Sequence, residues 1–298
     1  MKTLPNRYLT AVVMTALVPV IWGSTYIATT QWLPPERPFT AATIRALPAG
    51  LILVLLGRST LTLRQIPMMV LLSLLNIAIF QGMLFTAAYL LPGGIAAVVG
   101  SIQPLLVMGL VWVFDRQVPG KHKIVASLVA ITGMALLFSG PESQWNLPGV
   151  LAAFFGTLSM ATGVYISSKW NHRLPNLSFT GWQLLIGGAI LTPVAVLIEE
   201  PIMHLTTENI WGYVYISVFG ALIGYTLWFR GLKQLSPTTV ASLGLLSPLT
   251  ATLLDWVFLG ESLGIIESAG IFLVMASILA LQTRPNRPTV ASRIAQEC

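Results

Sequence analysis

Charge is scarce in this 298-residue sequence: 9% of its residues are Asp, Glu, Lys or Arg, against about 25% in a soluble domain. So few charges cannot cover a water-exposed globular surface, which excludes soluble enzymes and nucleic-acid-binding domains. Disorder is excluded by the same shortage, because it needs high charge and low hydrophobicity. Cysteine is nearly missing. Cys298 stands alone, so no internal disulfide is available and no Cys/His cluster offers a metal site. The three histidines, His122, His172 and His204, fall in connections on different sides and cannot assemble one site. No nucleotide-binding glycine loop, His-Glu-x-x-His helix or nucleophile elbow is found. The sequence therefore reads as no enzyme, with no cofactor and no metal.

What the sequence has instead is apolar length. Hydrophobic residues make up 55% of it, and its mean hydropathy is +0.80. A spanning helix takes about 20 apolar residues, so ten of them would use about 200 of the 298 positions and leave little folded outside a bilayer. The apolar runs lie near 9–29, 39–57, 67–89, 95–114, 124–139, 148–168, 178–198, 211–229, 240–259 and 265–282. Breakers separate them, for example Leu33-Pro34-Pro35-Glu36, Leu91-Pro92-Gly93-Gly94 and Leu235-Ser236-Pro237. Lys2 and Arg7 precede the first run in the manner of a signal peptide. That run is long enough to span, however, and reads as a retained first helix.

The net charge of +6 and pI near 9.7 would suit an acidic partner if the basic residues were clustered. They are spread between the apolar runs instead, and their pattern is one of membrane orientation. With the N-terminus in the cytoplasm and ten alternating spans, fourteen of the sixteen Lys and Arg residues fall on the cytoplasmic side. Arg37 is external, and Arg45 lies inside a span. Glu36, Glu142, Glu199, Glu200, Glu208, Glu261 and Glu267 all fall outside. The expected topology is multi-pass with both termini cytoplasmic.

The chain is also duplicated. Shifted by 144 residues, Phe85–Phe114 aligns with Phe229–Phe258 with ten identities in 30 positions, including Pro104 over Pro248 and Trp112 over Trp256. A shift of 139 places Tyr26-Ile27 over Tyr165-Ile166. The fold expected is an all-α polytopic membrane protein of ten transmembrane helices, built as a 5+5 inverted-topology repeat. The first repeat is 1–140, the second 148–283, and a cytoplasmic tail 284–298. An odd number of spans per half turns the second half upside down, a plan found in many secondary transporters.

Several residues are candidates for a substrate site at the midplane. Pro104 and Pro248 sit near the centres of spans 4 and 9, each freeing a carbonyl one turn earlier, at Gly100 and Gly244. In lipid such freed groups must be satisfied or must line a cavity, although a single proline can equally be a simple kink. Gln103, Ser247 and Gln81 supply neutral polar groups at similar depth. Trp22, Tyr26, Tyr165, Tyr225 and Trp228 are deeper aromatics that either line a pore or pack, whereas Trp112, Trp211 and Trp256 read as interfacial belt residues. Gly220 and Gly224 form a small-xxx-small pair that permits close helix approach.

Arg45 and Asp255 are intramembrane charges, each costing on the order of 3 kcal/mol near the bilayer centre. They lie roughly 9 and 6 Å below the external ends of their spans. At those depths they can pair, contact solute or snorkel to the interface. No carboxylate sits at the midplane to relay protons.

On these residues the chain resembles the drug/metabolite transporter superfamily, specifically its EamA family. The matching stretches are Trp22-Gly23-Ser24-Thr25-Tyr26, Phe39 to Arg45, the Pro104 segment, Gly224-Tyr225 through Leu235-Ser236, and Ser247-Pro248 through Leu259-Gly260-Glu261. Gln117 departs from the pattern by replacing the family's glutamate after span 4. The runs 32–38, 45–50 and 91–97 resemble the blue-pigment (indigoidine) exporter branch.

The resemblance implies a bacterial inner-membrane protein exporting a small metabolite, such as an amino-acid derivative, pigment or toxic compound, by alternating access. It also implies a cavity between the halves built from spans 1, 3, 4, 6, 8 and 9. A passive small-molecule channel or facilitator and a non-transporting membrane scaffold are the alternatives. The partners implied are a small-molecule substrate and the lipid bilayer, with no nucleic acid and with a homodimer left open.

Overall fold

The computed structural model describes residues 4–91, 93–138, 146–170, 173–202, 204–259 and 264–282. Ten helical rods among the described residues occupy the ten apolar runs. They are α1 (Leu4–Trp32), α2 (Pro38–Gly57), α3 (66–90), α4 (93–115), α5 (Lys121–Leu137), α6 (Leu147–Lys169), α7 (Asn176–Ile198), α8 (207–232), α9 (237–259) and α10 (Ile265–Leu281). Among the described residues, eight helices are long and apolar enough to cross a membrane, and Ile265–Leu281 is a shorter apolar one. Among the described residues there is no strand.

Helix starts follow ordinary chemistry. Proline occupies the first turn of α2, α6 and α9, where its missing N–H is not needed. Asn146 Oδ1 accepts from Gly149 N at 3.1 Å to cap α6, and Thr206 with Asn209 forms a capping box on α8. At α2 the cap comes from another helix. Glu199, just past the end of α7, accepts from Phe39 N at 2.6 Å and from Thr40 N at 2.8 Å. A carboxylate on two free N–H groups at the positive end of a helix is favourable, and it ties the α1–α2 connection to α7.

The duplication is visible in the packing. Helix α2 lies against its repeat partner α7, and α5 against α10. The contact of α3 with α6 recurs as α8 with α1, and α4 with α6 recurs as α9 with α1. Glycine makes the central crossing possible. A Cβ at Gly50 of α2 would lie 2.4 Å from Leu185 N, and one at Gly188 of α7 would lie 3.0 Å from Leu47 N. Gly50 and Gly188 are each the thirteenth residue of their helices, and Leu47 and Leu185 each the tenth. One contact is thus made twice about a pseudo-two-fold axis. In lipid, such backbone approach supplies the packing that hydrophobic burial cannot.

Trp112, Trp211 and Trp256 are exposed, as interfacial belt residues require. Exposed apolar side chains such as Leu55, Phe114 and Phe258 form an outer surface suited to hydrocarbon.

Candidate functional site

Two helices that reach the centre are not uniform. Helix α3 runs α-helical over Ile66–Ser73, π-helical over Leu74–Ile79 and α-helical over Phe80–Leu90. Helix α8 repeats this, with Thr207–Tyr215, a π-helical Ile216–Ile223 and then Gly224–Leu232. A π-helical turn bonds i to i+5, which displaces carbonyls from the α ladder and offers them to neighbours. In α8 the Gly220 carbonyl accepts from Trp22 Nε1 at 2.9 Å and from Arg45 Nη2 at 3.3 Å. In α3 the Leu75 carbonyl accepts from Ser159 Oγ at 2.8 Å.

The side-chain partners are repeated too. Arg45 and Gln183 are each the eighth residue of α2 and α7. Where Arg45 meets the π segment of α8, Gln183 Oε1 accepts from Asn76 Nδ2 on the π segment of α3 at 2.8 Å. Asn76 Nδ2 also donates to Ser167 Oγ at 3.1 Å, which makes a buried polar knot of α3, α6 and α7. Arg45 is buried, and its guanidinium lies against helix α8. Of the three roles open to it, snorkelling to the interface is the one this side chain does not take.

The other helices that reach the centre are broken. Helix α4 stops at Gly100 and restarts at Gln103, and α9 stops at Leu243 and restarts at Leu246. Pro104 and Pro248 each follow the break. The Gly244 carbonyl, expected to be left open by Pro248, accepts from Ser247 N at 3.0 Å. The ladder is therefore repaired by an i to i+3 bond that tightens the chain at the break.

Between the halves lies a cavity of about 610 Å³, inside the range of roughly 300–1,000 Å³ typical of small-molecule sites. Leu33 and Pro35 line its mouth, with Ala87, Ala88, Ala96 and Ala97 opposite. Its depth is reached at Gln103, Tyr225, Trp228, Ser247 and Pro248. Trp22 and Arg45 form part of one wall, and Gly156, Thr157 and Met160 of α6 part of another. The aromatic floor is continuous, with ring centroids 5.0 Å apart for Trp22 and Trp228 and 5.2 Å for Trp22 and Tyr225. Both polar and apolar groups face the space, and Gln103 Nε2 and Trp228 Nε1 are buried donors with no hydrogen-bond partner.

The structure thus brings together Trp22, Gln103, Tyr225, Trp228, Ser247 and Pro248, along with Arg45. Gln81 is fully buried just behind the wall, where Nε2 donates to Tyr225 Oη at 3.3 Å. Gln81 and Tyr225 are 144 residues apart, the repeat shift itself, so this bond joins equivalent positions across the pseudo-axis. Pro104 is buried behind Gln103. The side chains of Tyr26 and Asp255 lie outside the described residues, and so does the expected pairing of Asp255 with Arg45.

Tyr165 is not on the cavity wall. It lies past the deep end, where its hydroxyl donates to Asp115 Oδ1 at 2.8 Å and its ring stacks on Phe114 with centroids 5.9 Å apart. Lys169 forms an ion pair with Asp115. Together with Val107, Ala161 and Ala241, which pack with Leu106 and Leu110, these contacts close the end of the bundle opposite the mouth. Gly220 and Gly224 also have a close-approach role, Gly220 beside Arg45 and Thr25 and Gly224 beside Trp22.

Sequence reasoning missed the wall residues Thr25, Thr29, Ser101 and Thr157, and the knot of Asn76, Ser167 and Gln183. The hydroxyls give little signal, because Thr25, Thr29 and Thr157 each satisfy a carbonyl of their own helix. Asn76 and Gln183 were visible as amides inside apolar runs, and comparing helix positions between the halves would have placed Gln183 beside Arg45.

Comparison with known proteins agrees with the architecture. The model of the EamA-like transporter family matches residues 9–139 and again 147–283. Protein PecM of Dickeya dadantii is 41% identical over 267 residues, covering 89% of each chain. The uncharacterized inner membrane transporter YedA of Escherichia coli K12 is 28% identical over 285 residues, covering 91% of this chain and 92% of its own. A protein crystal structure with 18% identity superimposes with a TM-score of 0.79 over 96% of this chain and 99% of its own, which shows the fold alone. Ten helices in two matched halves around a solute-sized space belong to no enzyme of this lineage: the chain is a multi-pass membrane transporter and a member of the EamA-like transporter family.

Proposed function

We propose that the protein is a bacterial inner-membrane carrier that exports a small metabolite by alternating access. The observation that carries this reading is the cavity between the halves, with a mouth at one end and packed side chains at the other. In an inverted repeat, exchanging the conformations of the two halves closes the mouth and opens the packed end. The π-helical segments and the breaks lie on α3, α8, α4 and α9. These are the helices that would rearrange as gates, because their backbones already depart from a continuous α ladder.

The Lys/Arg bias supports cytoplasmic termini, with repeats at 1–140 and 148–283 and a tail at 284–298. The mouth at Leu33, Pro35 and Ala96 is then external, and the contacts of Asp115 with Tyr165 and Lys169 are cytoplasmic. The solute would bind among Trp22, Gln103, Tyr225, Trp228 and Ser247, with Gln81, Pro104 and Pro248 holding the frame. The runs 32–38, 45–50 and 91–97 favour the blue-pigment exporter branch within the family.

The test has two steps. Metabolites in the medium of an overexpressing strain are compared with those of a deletion strain, and the compound that differs is then used for counterflow in proteoliposomes. Acceleration of uptake by trans-loaded compound is expected. Uptake indifferent to trans loading would mean a channel, and no differing compound would favour a scaffold.

A further inference from the structure

We propose that Gly100 sets the upper size of the solute that the cavity admits, its missing side chain leaving open the width beside α4. The inference rests on the carrier reading of the same cavity and names the residue that limits its cargo. Helix α4 lines the space with Ala96, Ala97, Gly100 and Ser101. These positions are spaced i, i+1, i+4 and i+5, which puts them on one helical face. At about 100° per residue, Gly100 falls between Ala96 and Ala97 around that face. A side chain there would project into the cavity. A Cβ at Gly100 would meet nothing within 4 Å among the described residues.

The other glycines of the wall are explained by contact. A Cβ at Gly156 would lie 3.0 Å from Met83 Cβ, and one at Gly244 would lie 3.1 Å from the Ala241 carbonyl oxygen and 3.6 Å from Gln103 Oε1. Gly244 stands 144 residues beyond Gly100 and is its repeat partner. Equivalent positions are thus packed in one half and open in the other, and an exchange of conformations between the halves would swap them. Gly100 ends the helical stretch Gly93–Gly100 without a left-handed φ. Glycine weakens a helix relative to alanine, so neither packing nor backbone geometry calls for it here. What it supplies is room. On the aromatic side, Trp22 packs on Trp228 and Tyr225 and is tied to the Gly220 carbonyl. That side is held in place, and the free width is left to the small residues of α4.

The test uses the detergent-purified full chain carrying Cys298→Ser and Ser247→Cys, the second on the cavity wall. N-methylmaleimide and N-(1-pyrenyl)maleimide share one reactive group and differ in bulk, and both are expected to modify this parent. The rate of each is read by mass spectrometry of the intact chain. Gly100→Leu is expected to slow the pyrenyl reagent at least about tenfold and the methyl reagent less than about twofold, as when a pocket loses room for a few carbon atoms. Gly109→Leu, on the same helix but off the wall, is expected to change neither. Gly100→Val carries the same test should Gly100→Leu not elute as a single species. An unchanged pyrenyl rate in the Gly100 variant would overturn the proposal, and so would a parent closed to the pyrenyl reagent. Equal slowing of both reagents, or the same slowing in Gly109→Leu, would mean a displaced helix and would overturn it too. Size discrimination without counterflow of the exported compound in proteoliposomes would refute the carrier reading and uphold the size limit; counterflow with an unchanged pyrenyl rate would do the reverse.

Discussion

The crossing of α2 and α7 gives the sharpest quantitative expectation. A methyl group placed on Gly50 would sit 2.4 Å from Leu185 N, 2.8 Å from Leu185 Cα and 2.9 Å from the Leu184 carbonyl carbon. All three are backbone atoms, so no side chain can rotate out of the way. Restoring ordinary contact requires the helices to separate by about 1 Å, and overpacking of this kind costs roughly 1–3 kcal/mol. Gly188→Ala meets Leu47 at 2.8 Å on its side chain and 3.0 Å on its backbone nitrogen. Its effect should therefore have the same sign and lie at the lower end of that range, since Leu47 can give.

Gly109→Ala is the control. Nothing lies within 4 Å of its added methyl, and alanine favours a helix over glycine by about 1 kcal/mol. Thermal unfolding in detergent, followed by size-exclusion chromatography of heated samples, reads all three. Lower stability is expected for Gly50→Ala and Gly188→Ala, and unchanged or higher stability for Gly109→Ala. If Gly50→Ala were as harmless as Gly109→Ala, the close backbone crossing, and the symmetry argument built on it, would be refuted.

Other expectations follow from single contacts. Glu199→Ala removes the carboxylate from Phe39 N and Thr40 N and should lower stability by about 1 kcal/mol in the same assay; Glu199→Gln should lose less, because one acceptor oxygen remains. Asp115→Asn removes the charge that Lys169 pairs with and weakens the hold on Tyr165. With Cys298→Ser and Val107→Cys as the probe, faster maleimide labelling is expected in inside-out vesicles, and an unchanged rate would mean that these contacts do not keep that end shut. Partial burial against Phe179 holds the Lys233 ammonium below the usual lysine range. The folded chain then binds fewer protons than the unfolded one between that lowered value and 10.5, so stability should rise with pH through this window. Lys233→Met should flatten that slope in a pH series of unfolding temperatures.

Much of the fold was legible because lipid imposes a simple rule: each apolar run long enough to span becomes a helix. The repeat was legible through Pro104 over Pro248 and Trp112 over Trp256. The π-helical segments were not, since neither Leu74–Ile79 nor Ile216–Ile223 contains a proline to mark a departure from the α ladder. Arg45 illustrates a second limit. Its depth could be counted from the sequence, but its partner, the Gly220 carbonyl, exists only after α8 departs from the α ladder. Tyr165 illustrates a third. Helical depth placed it near the centre, yet the side taken by its hydroxyl was decided by Asp115, across a helix–helix contact that no spacing rule supplies.

Alternating access is tested most directly at Gln103, a polar residue of the cavity wall. Gln103→Cys, in a Cys298→Ser background, is exposed to a membrane-impermeant maleimide in right-side-out and in inside-out vesicles. Modification from both sides is expected, each blocked when the exported compound is added. Modification from one side alone, with and without that compound, would mean a fixed pocket and would contradict the account.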